Sequence, residues 1–111
     1  MKDPGFIYVV RFWIAPEARA MIMDWLKGGH VRDVVSFPGF LWCRSIDLKD
    51  RDEKGWHAHA MIYGVATPEA FNAYQSDGAL QAVFVAQRKD FAHQLRIERF
   101  AGEVTLAEDH D

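Results

Sequence analysis

Short β-rich runs alternate with amphipathic stretches along this chain, and the alternation orders its elements. The run GFIYVVRFWI, residues 5–14, is dense in branched and aromatic side chains and predicts a first strand. Pro16 and Glu17 then open a helix, since proline suits the first helical position and an acid suits the first turn. Met21, Ile22, Trp25 and Leu26 recur at helical spacing as one apolar stripe. Gly28-Gly29 weakens or ends that helix, and Val31, Val34 and Val35 continue the stripe for a further turn. After the break at Pro38-Gly39, residues 40–48 read as strand two, 49–55 as a charged loop and 56–66 as strand three, a hairpin with a long connection. Thr67 as N-cap, Pro68 at the first helical position and Gly78 as a stop bound the next helix. Residues 79–95 follow as a further helix carrying Leu80, Val83, Phe84, Gln87 and Phe91 on one side, and 96–104 as the last strand.

The order β-α-β-β-α-β predicts an α+β, ferredoxin-like domain: a four-stranded antiparallel sheet with helices on one face. One domain is expected over residues 1–104, with 105–111 an acidic tail that frays. Strand residues alternate between faces. On strand three, Ala58, Ala60, Ile62 and Gly64 oppose His57, His59, Met61 and Tyr63. The small set suits close approach of the helices, which assigns the histidines to the open face. On strand one Tyr8, Val10 and Phe12 oppose Ile7, Val9, Arg11 and Trp13; on strand two Trp42 and Arg44 oppose Leu41, Cys43 and Ser45. Both faces are substantially apolar, whereas a solvated face shows polar alternation. The open face is therefore expected to be covered by a second copy of the chain in a homodimer.

Composition narrows the class. Of the 111 residues, 50% are hydrophobic and 14% aromatic, enough for a core and too many for a disordered chain. Net charge is −3 and no element carries a basic stripe, so no nucleic-acid partner is expected. The single cysteine, Cys43, excludes an intrachain disulfide and fits a reducing compartment. No signal-peptide pattern opens the chain, and no apolar run approaches the ~20 residues that span a bilayer. These features predict a soluble, cytoplasmic protein without a membrane partner.

In element order, in length and in one local pattern, His30 followed by Pro38-Gly39-Phe40, residues 6–104 resemble the dimeric α+β barrel superfamily. That superfamily includes antibiotic-biosynthesis-type monooxygenases, heme-degrading monooxygenases and muconolactone-type isomerases, and the chain looks closest to an uncharacterised bacterial family within it. The resemblance implies two subunits forming one barrel. The heme-degrading branch uses an Asn on strand one, a Trp at the end of strand three and an axial His early in the last helix. Val10, Val65 and Val83 stand at those positions here, and His93 falls two to three turns too late, so that activity is disfavoured. Muconolactone-type isomerases place a functional His where His30 falls.

His30 follows two glycines, so its backbone can leave the helix and aim the ring into a cavity. As a neutral imidazole it would serve as acid or base, or as a hydrogen-bonding group; capping the last helical carbonyls is the structural alternative. His57 and His59 lie two apart on one strand face, with His30 or Asp47 a conceivable third metal ligand, but no metal motif supports them and no metal is expected. Arg11 and Arg44 sit inside apolar strands, where each either pairs with Asp24, Asp47 or Glu98 or receives an anionic ligand. Trp25, Trp42, Tyr8 and Tyr63 are candidates to wall a pocket for a planar compound. No glycine-rich phosphate loop is present, so no nucleotide cofactor is expected. Ser45 and Cys43 have no base at a recognisable spacing, so nucleophilic catalysis is not argued.

These features predict a small cofactor-independent enzyme acting on an apolar, aromatic or lactone-like acid, of isomerase, lyase or monooxygenase type. His30 moves a proton, with His57 or His59 assisting, and Arg44 and Arg11 orient the anion. The rival is a non-catalytic dimeric module that binds a small ligand or regulates a partner. Burial separates them: a catalytic His30 must open onto a cavity that also holds Arg44 or a strand-three histidine.

Overall fold

The computed structural model describes residues 2–110; Met1 and Asp111, the ends of the expected domain and tail, lie outside the described residues. Four strands, β1 (Phe6–Ile14), β2 (Phe40–Arg51), β3 (His57–Val65) and β4 (Leu95–Glu103), form one antiparallel sheet in the order β2-β3-β1-β4. Between β1 and β2 run α1 (Arg19–Trp25) and α2 (Val31–Val35); between β3 and β4 run α3 (Pro68–Ser76) and α4 (Gly78–Gln87). This is the expected ferredoxin-like arrangement, with all helices on one face of the sheet. Among the described residues no helix is long and apolar enough to cross a membrane. Residues 104–110 carry no regular structure.

Local chemistry accounts for the boundaries. Thr67 Oγ1 accepts from the Ala70 backbone N–H at 3.1 Å and starts α3. Asp77, rather than Gly78, divides the next two helices: its carboxylate accepts from Leu80 N–H at 3.0 Å and caps α4. The predicted helix over 79–95 stops earlier, because a 3-10 segment at Lys89–Gln94 follows Gln87 and leads into β4. β2 is longer than expected and extends to Arg51, so the charged run 49–51 is an edge strand rather than a loop.

The core lies between sheet and helices. Phe6, Tyr8, Val10, Phe12 and Ile14 of β1 and Met61, Tyr63 and Val65 of β3 meet Ile22, Leu26, Val34, Phe71, Tyr74, Phe84 and Phe91. This corrects one expectation. The helix-facing row of β3 is His57, His59, Met61 and Tyr63, and the small row Ala58, Ala60, Ile62 and Gly64 faces the open side. The small side chains make room for neighbours within the sheet, not for helices. A Cβ on Gly64 would lie 2.4 Å from the Trp42 ring, which crosses it on the open face. Ala58, paired with Trp13 of β1, is fully buried.

Candidate functional site

Gly29 determines how His30 is presented. Its φ of +152° lies where side-chain-bearing residues rarely go, and the helix kinks there, leaving helical geometry at Gly29. α2 resumes at Val31. The His30 ring stacks on Trp25 (centroids 4.1 Å apart) and meets the edge of Phe84 at 4.6 Å. Its Nδ1 is buried and makes no hydrogen bond. Burial pushes its pKa down to about 4; the nearby Arg88 guanidinium acts in the same direction and Asp33 opposes. The ring is therefore neutral at pH 7, with an unengaged nitrogen.

That ring opens onto a cavity between helices and sheet. Tyr8, Val10 and Phe12 form its floor, Trp25, Val34 and Phe84 its roof, and Tyr63 and Tyr74 one side. The free space is about 20 Å³, room for a water molecule. Arg88 from the end of α4 and Arg99 from β4 line the other side. Among the described residues neither guanidinium forms an ion pair with a carboxylate. Arg88 has its pKa lowered by burial and then by Arg99, as expected of two cations sharing one site. Burial raises the Tyr8 phenol pKa, and the charge and hydrogen bond of Arg99 oppose the rise. Trp25 Nε1 donates to Gln87 Oε1 at 3.2 Å across the outer mouth, where an open groove shares Trp25, His30 and Gln87.

A second pocket of about 450 Å³ lies on the same sheet face, between α1–α2 and β2. Leu26, Val31, Val35 and Met61 make it apolar, Lys27 and Arg32 add positive charge, and Cys43 and Ser45 reach it from β2. Burial pushes the Cys43 thiol up to about 11, against the opposing effects of Tyr63 and Arg44, so it stays protonated. Ser45 Oγ lies 2.6 Å from Nε2 of the buried His59. His59 Nδ1 lies 3.6 Å from Asp47 Oδ1, which also accepts from Arg19 Nη2 at 3.0 Å. His57 Nε2 is 3.3 Å from that same oxygen and bonds the Leu48 carbonyl. Among the described residues no group of three or more His, Cys, Asp or Glu is arranged to hold a metal ion.

The residues expected to act together are thus divided. His30, Trp25, Tyr8 and Tyr63 share the closed cavity. His57 and His59 stand on the same sheet face but line neither cavity; His59 meets Ser45, and His57 meets Asp47 and Leu48. Arg11, Arg44 and Trp42 are on the open face. There Arg11 pairs with Glu98 at 3.2 Å, and Glu98 also accepts from Trp13 and is approached by Arg96 at 3.4 Å. Arg44 lies over the Trp42 ring at 5.3 Å and donates to the Cys43 carbonyl. The cavity's cations are Arg88 and Arg99, which sequence reasoning passed over. A signal existed: Arg99 interrupts the apolar helix-facing row Leu95–Ile97 of β4, and Arg88 follows Phe84 by one helical turn.

Residues 5–100 match the family model described as "Domain of unknown function (DUF4286)". No curated protein matches the chain by sequence. Solved structures match its fold. One is a candidate antibiotic-biosynthesis monooxygenase from Deinococcus radiodurans, at 13% identity and TM-score 0.67, covering 96% of this chain and 98% of that one. The heme-degrader MhuD from Mycobacterium tuberculosis, solved with two hemes bound, matches at 18% identity and TM-score 0.66, covering 94% and 99%. SnoaB, a cofactor-independent oxygenase from Streptomyces nogalater, matches at 14% identity and TM-score 0.62, covering 92% and 94%.

Proposed function

The chain belongs to the family described as Domain of unknown function (DUF4286), and from that premise we propose that it binds a small, planar, apolar acid in the His30 cavity and moves a proton there without a cofactor. One observation carries the reading: a neutral, unpartnered imidazole stands beside two guanidiniums that lack a carboxylate among the described residues. A bound anion supplies the missing charge between Arg88 and Arg99. It also raises the basicity of His30, because the negative charge offsets the cations that hold the ring neutral. The aromatic walls suit a flat ligand. The orienting role expected of Arg44 and Arg11 passes to Arg88 and Arg99, and His57 and His59 take no part at this cavity. Oxygenation of an activated carbon and isomerisation both begin with the proton removal that such a base performs. The fold neighbours include both a cofactor-independent oxygenase and a heme-degrader. The first type is the better fit: Val10 and Val65 stand where the heme-degrading pattern has Asn and Trp, and Val83, at its axial position, is 50% exposed on the outside of α4.

The small free space favours a second reading, a filled core with no chemistry. Substrate entry requires the Trp25–Gln87 contact to open toward the outer groove. An NMR titration of His30 with benzoate and hydroxynaphthoate decides between the two. On the enzyme reading one compound raises the His30 pKa by about one unit or more, ~1.4 kcal/mol of coupling, and Arg99→Gln abolishes the response. A pKa that stays near 4 with every compound sinks it in favour of the module. The homodimer through the open face belongs to the same proposal, supported by Ile7, Val9, Ile62 and the exposed Ile46 and Phe100 on that face. Sedimentation of Phe100→Asp against the parent chain tests it, with a monomeric parent the overturning result.

A further inference from the structure

Ser45, which lines the second pocket, has His59 and then Asp47 beside it in the relation of nucleophile, base and orienting acid, away from the His30 cavity. The register of the β2–β3 hairpin creates the arrangement. Asp47 pairs directly with His59 and Ser45 with Met61, so the hydroxyl, imidazole and carboxylate come side by side on the helix-facing side of two adjacent strands. Ser45 Oγ is 2.6 Å from His59 Nε2, and His59 Nδ1 faces Asp47 Oδ1 at 3.6 Å. His59 Nδ1 makes no hydrogen bond in this structure; with the ring proton on Nδ1, facing the carboxylate, Nε2 is left to accept from the hydroxyl. The 3.6 Å contact is longer than a hydrogen bond, and such contacts are often loose before substrate binds. Arg19 holds Asp47 from α1 at 3.0 Å. The hydroxyl is exposed toward the second pocket, while the base behind it is 4% exposed.

We propose that Ser45 is a nucleophile activated by His59, and that this pocket hydrolyses esters of short apolar acids. Ser45 Oγ attacks the ester carbonyl carbon, its proton passes to His59 Nε2, and the carbonyl electron pair moves to oxygen. The tetrahedral species collapses, the C–O bond to the alcohol breaks, and the departing oxygen takes the proton from Nε2. Water then attacks the acyl-serine, gives a proton to Nε2, and Ser45 leaves with that proton to regenerate the hydroxyl. Ester and water become acid and alcohol, with no oxidation or reduction. The acyl chain lies against Leu26, Val31, Val35 and Met61, and Lys27 and Arg32 supply positive charge that favours the oxyanion. Asp47 is a positioning residue that acts through His59.

The test uses the full chain with p-nitrophenyl butyrate and a fluorophosphonate probe. The expected results are turnover of the ester and a covalent adduct on the peptide carrying Ser45. Ser45→Ala, at an exposed edge-strand position, folds as judged by circular dichroism, and loses the adduct and at least ~100-fold in kcat/KM. His59→Gln loses the adduct as well. Asp47→Asn lowers kcat more than it raises KM, whereas a purely structural role leaves the ratio unmoved. Three outcomes overturn the proposal: no adduct at Ser45, an adduct undiminished in His59→Gln, or hydrolysis undiminished in Ser45→Ala. Any of them leaves the His30 reading intact, because the two sites share no residue.

Discussion

His30 and His59 both lie on the covered side of the sheet, yet their surroundings give them opposite properties. His30 sits among aromatic rings and faces two cations, and its Nδ1 has no partner. His59 Nδ1 is likewise without a hydrogen bond, 3.6 Å from the Asp47 carboxylate, but its Nε2 lies 2.6 Å from the Ser45 hydroxyl. Burial lowers the pKa of each, but Asp47 opposes the fall at His59 while Arg88 deepens it at His30. A buried ring without a partner responds to whatever charge arrives. A buried ring with one nitrogen against a hydroxyl holds that hydroxyl ready. The same residue type thus suits ligand sensing in one place and hydroxyl activation in the other.

The comparison breaks most clearly with pH. A histidine whose folded pKa is depressed binds fewer protons folded than unfolded between the two values. Stability then falls as pH drops through the unfolded value of ~6.5 and levels off below about 4. Because His30 is only partly buried, solvent screening trims the effect to about 2 kcal/mol. Urea denaturation between pH 7 and pH 4 measures it, and His30→Phe removes that part of the slope. A second contrast is between two identical substitutions. His30→Phe replaces an unpartnered ring between Trp25 and Phe84, so stability at pH 7 holds or rises slightly. His59→Phe removes the hydrogen bond to the Ser45 hydroxyl, which solvent then satisfies, and costs about 0.5–1.5 kcal/mol. Equal losses by denaturant melts of the two variants would undo the distinction.

The presentation of His30 separates two adjacent glycines. Gly29→Ala forces a side chain into a conformation that costs about 1–2 kcal/mol and displaces the ring. Gly28→Ala meets nothing within 4 Å, and is neutral or slightly stabilising. Thermal melts of the pair check the difference. The smallest effect is at the mouth: Gln87→Ala removes the bond to Trp25 Nε1 at an exposed site, costs roughly 0.5 kcal/mol, and speeds ligand entry in stopped-flow fluorescence of Trp25. Entry that is no faster shows that the route lies elsewhere.

Much of this was legible along the chain. Element order, the antiparallel sheet and the glycines before His30 followed from periodicity and turn chemistry, because those signals are local. The faces of β3 were not. Small residues mark close approach but do not say by what, and here Trp42 of the same sheet, not a helix, lies over Gly64. That reversal carried His57 and His59 to the helix side and left Arg11 and Arg44 on the other. Arg11 found the acid expected of it in Glu98, a choice that depended on which strands became neighbours.

The sequence by itself determined the order and type of the strands and helices, and that a histidine follows two glycines; several boundaries, such as the ends of β2 and α4, it did not. Tertiary structure alone decided that Arg88 and Arg99, far apart in the chain from His30, share its cavity, and that Ser45 and Asp47 flank His59. The reason is physical. Propensities and caps act over a few residues, whereas the charge and hydrogen-bond partners that set a histidine's chemistry come from strand register and helix packing, which join residues distant along the chain.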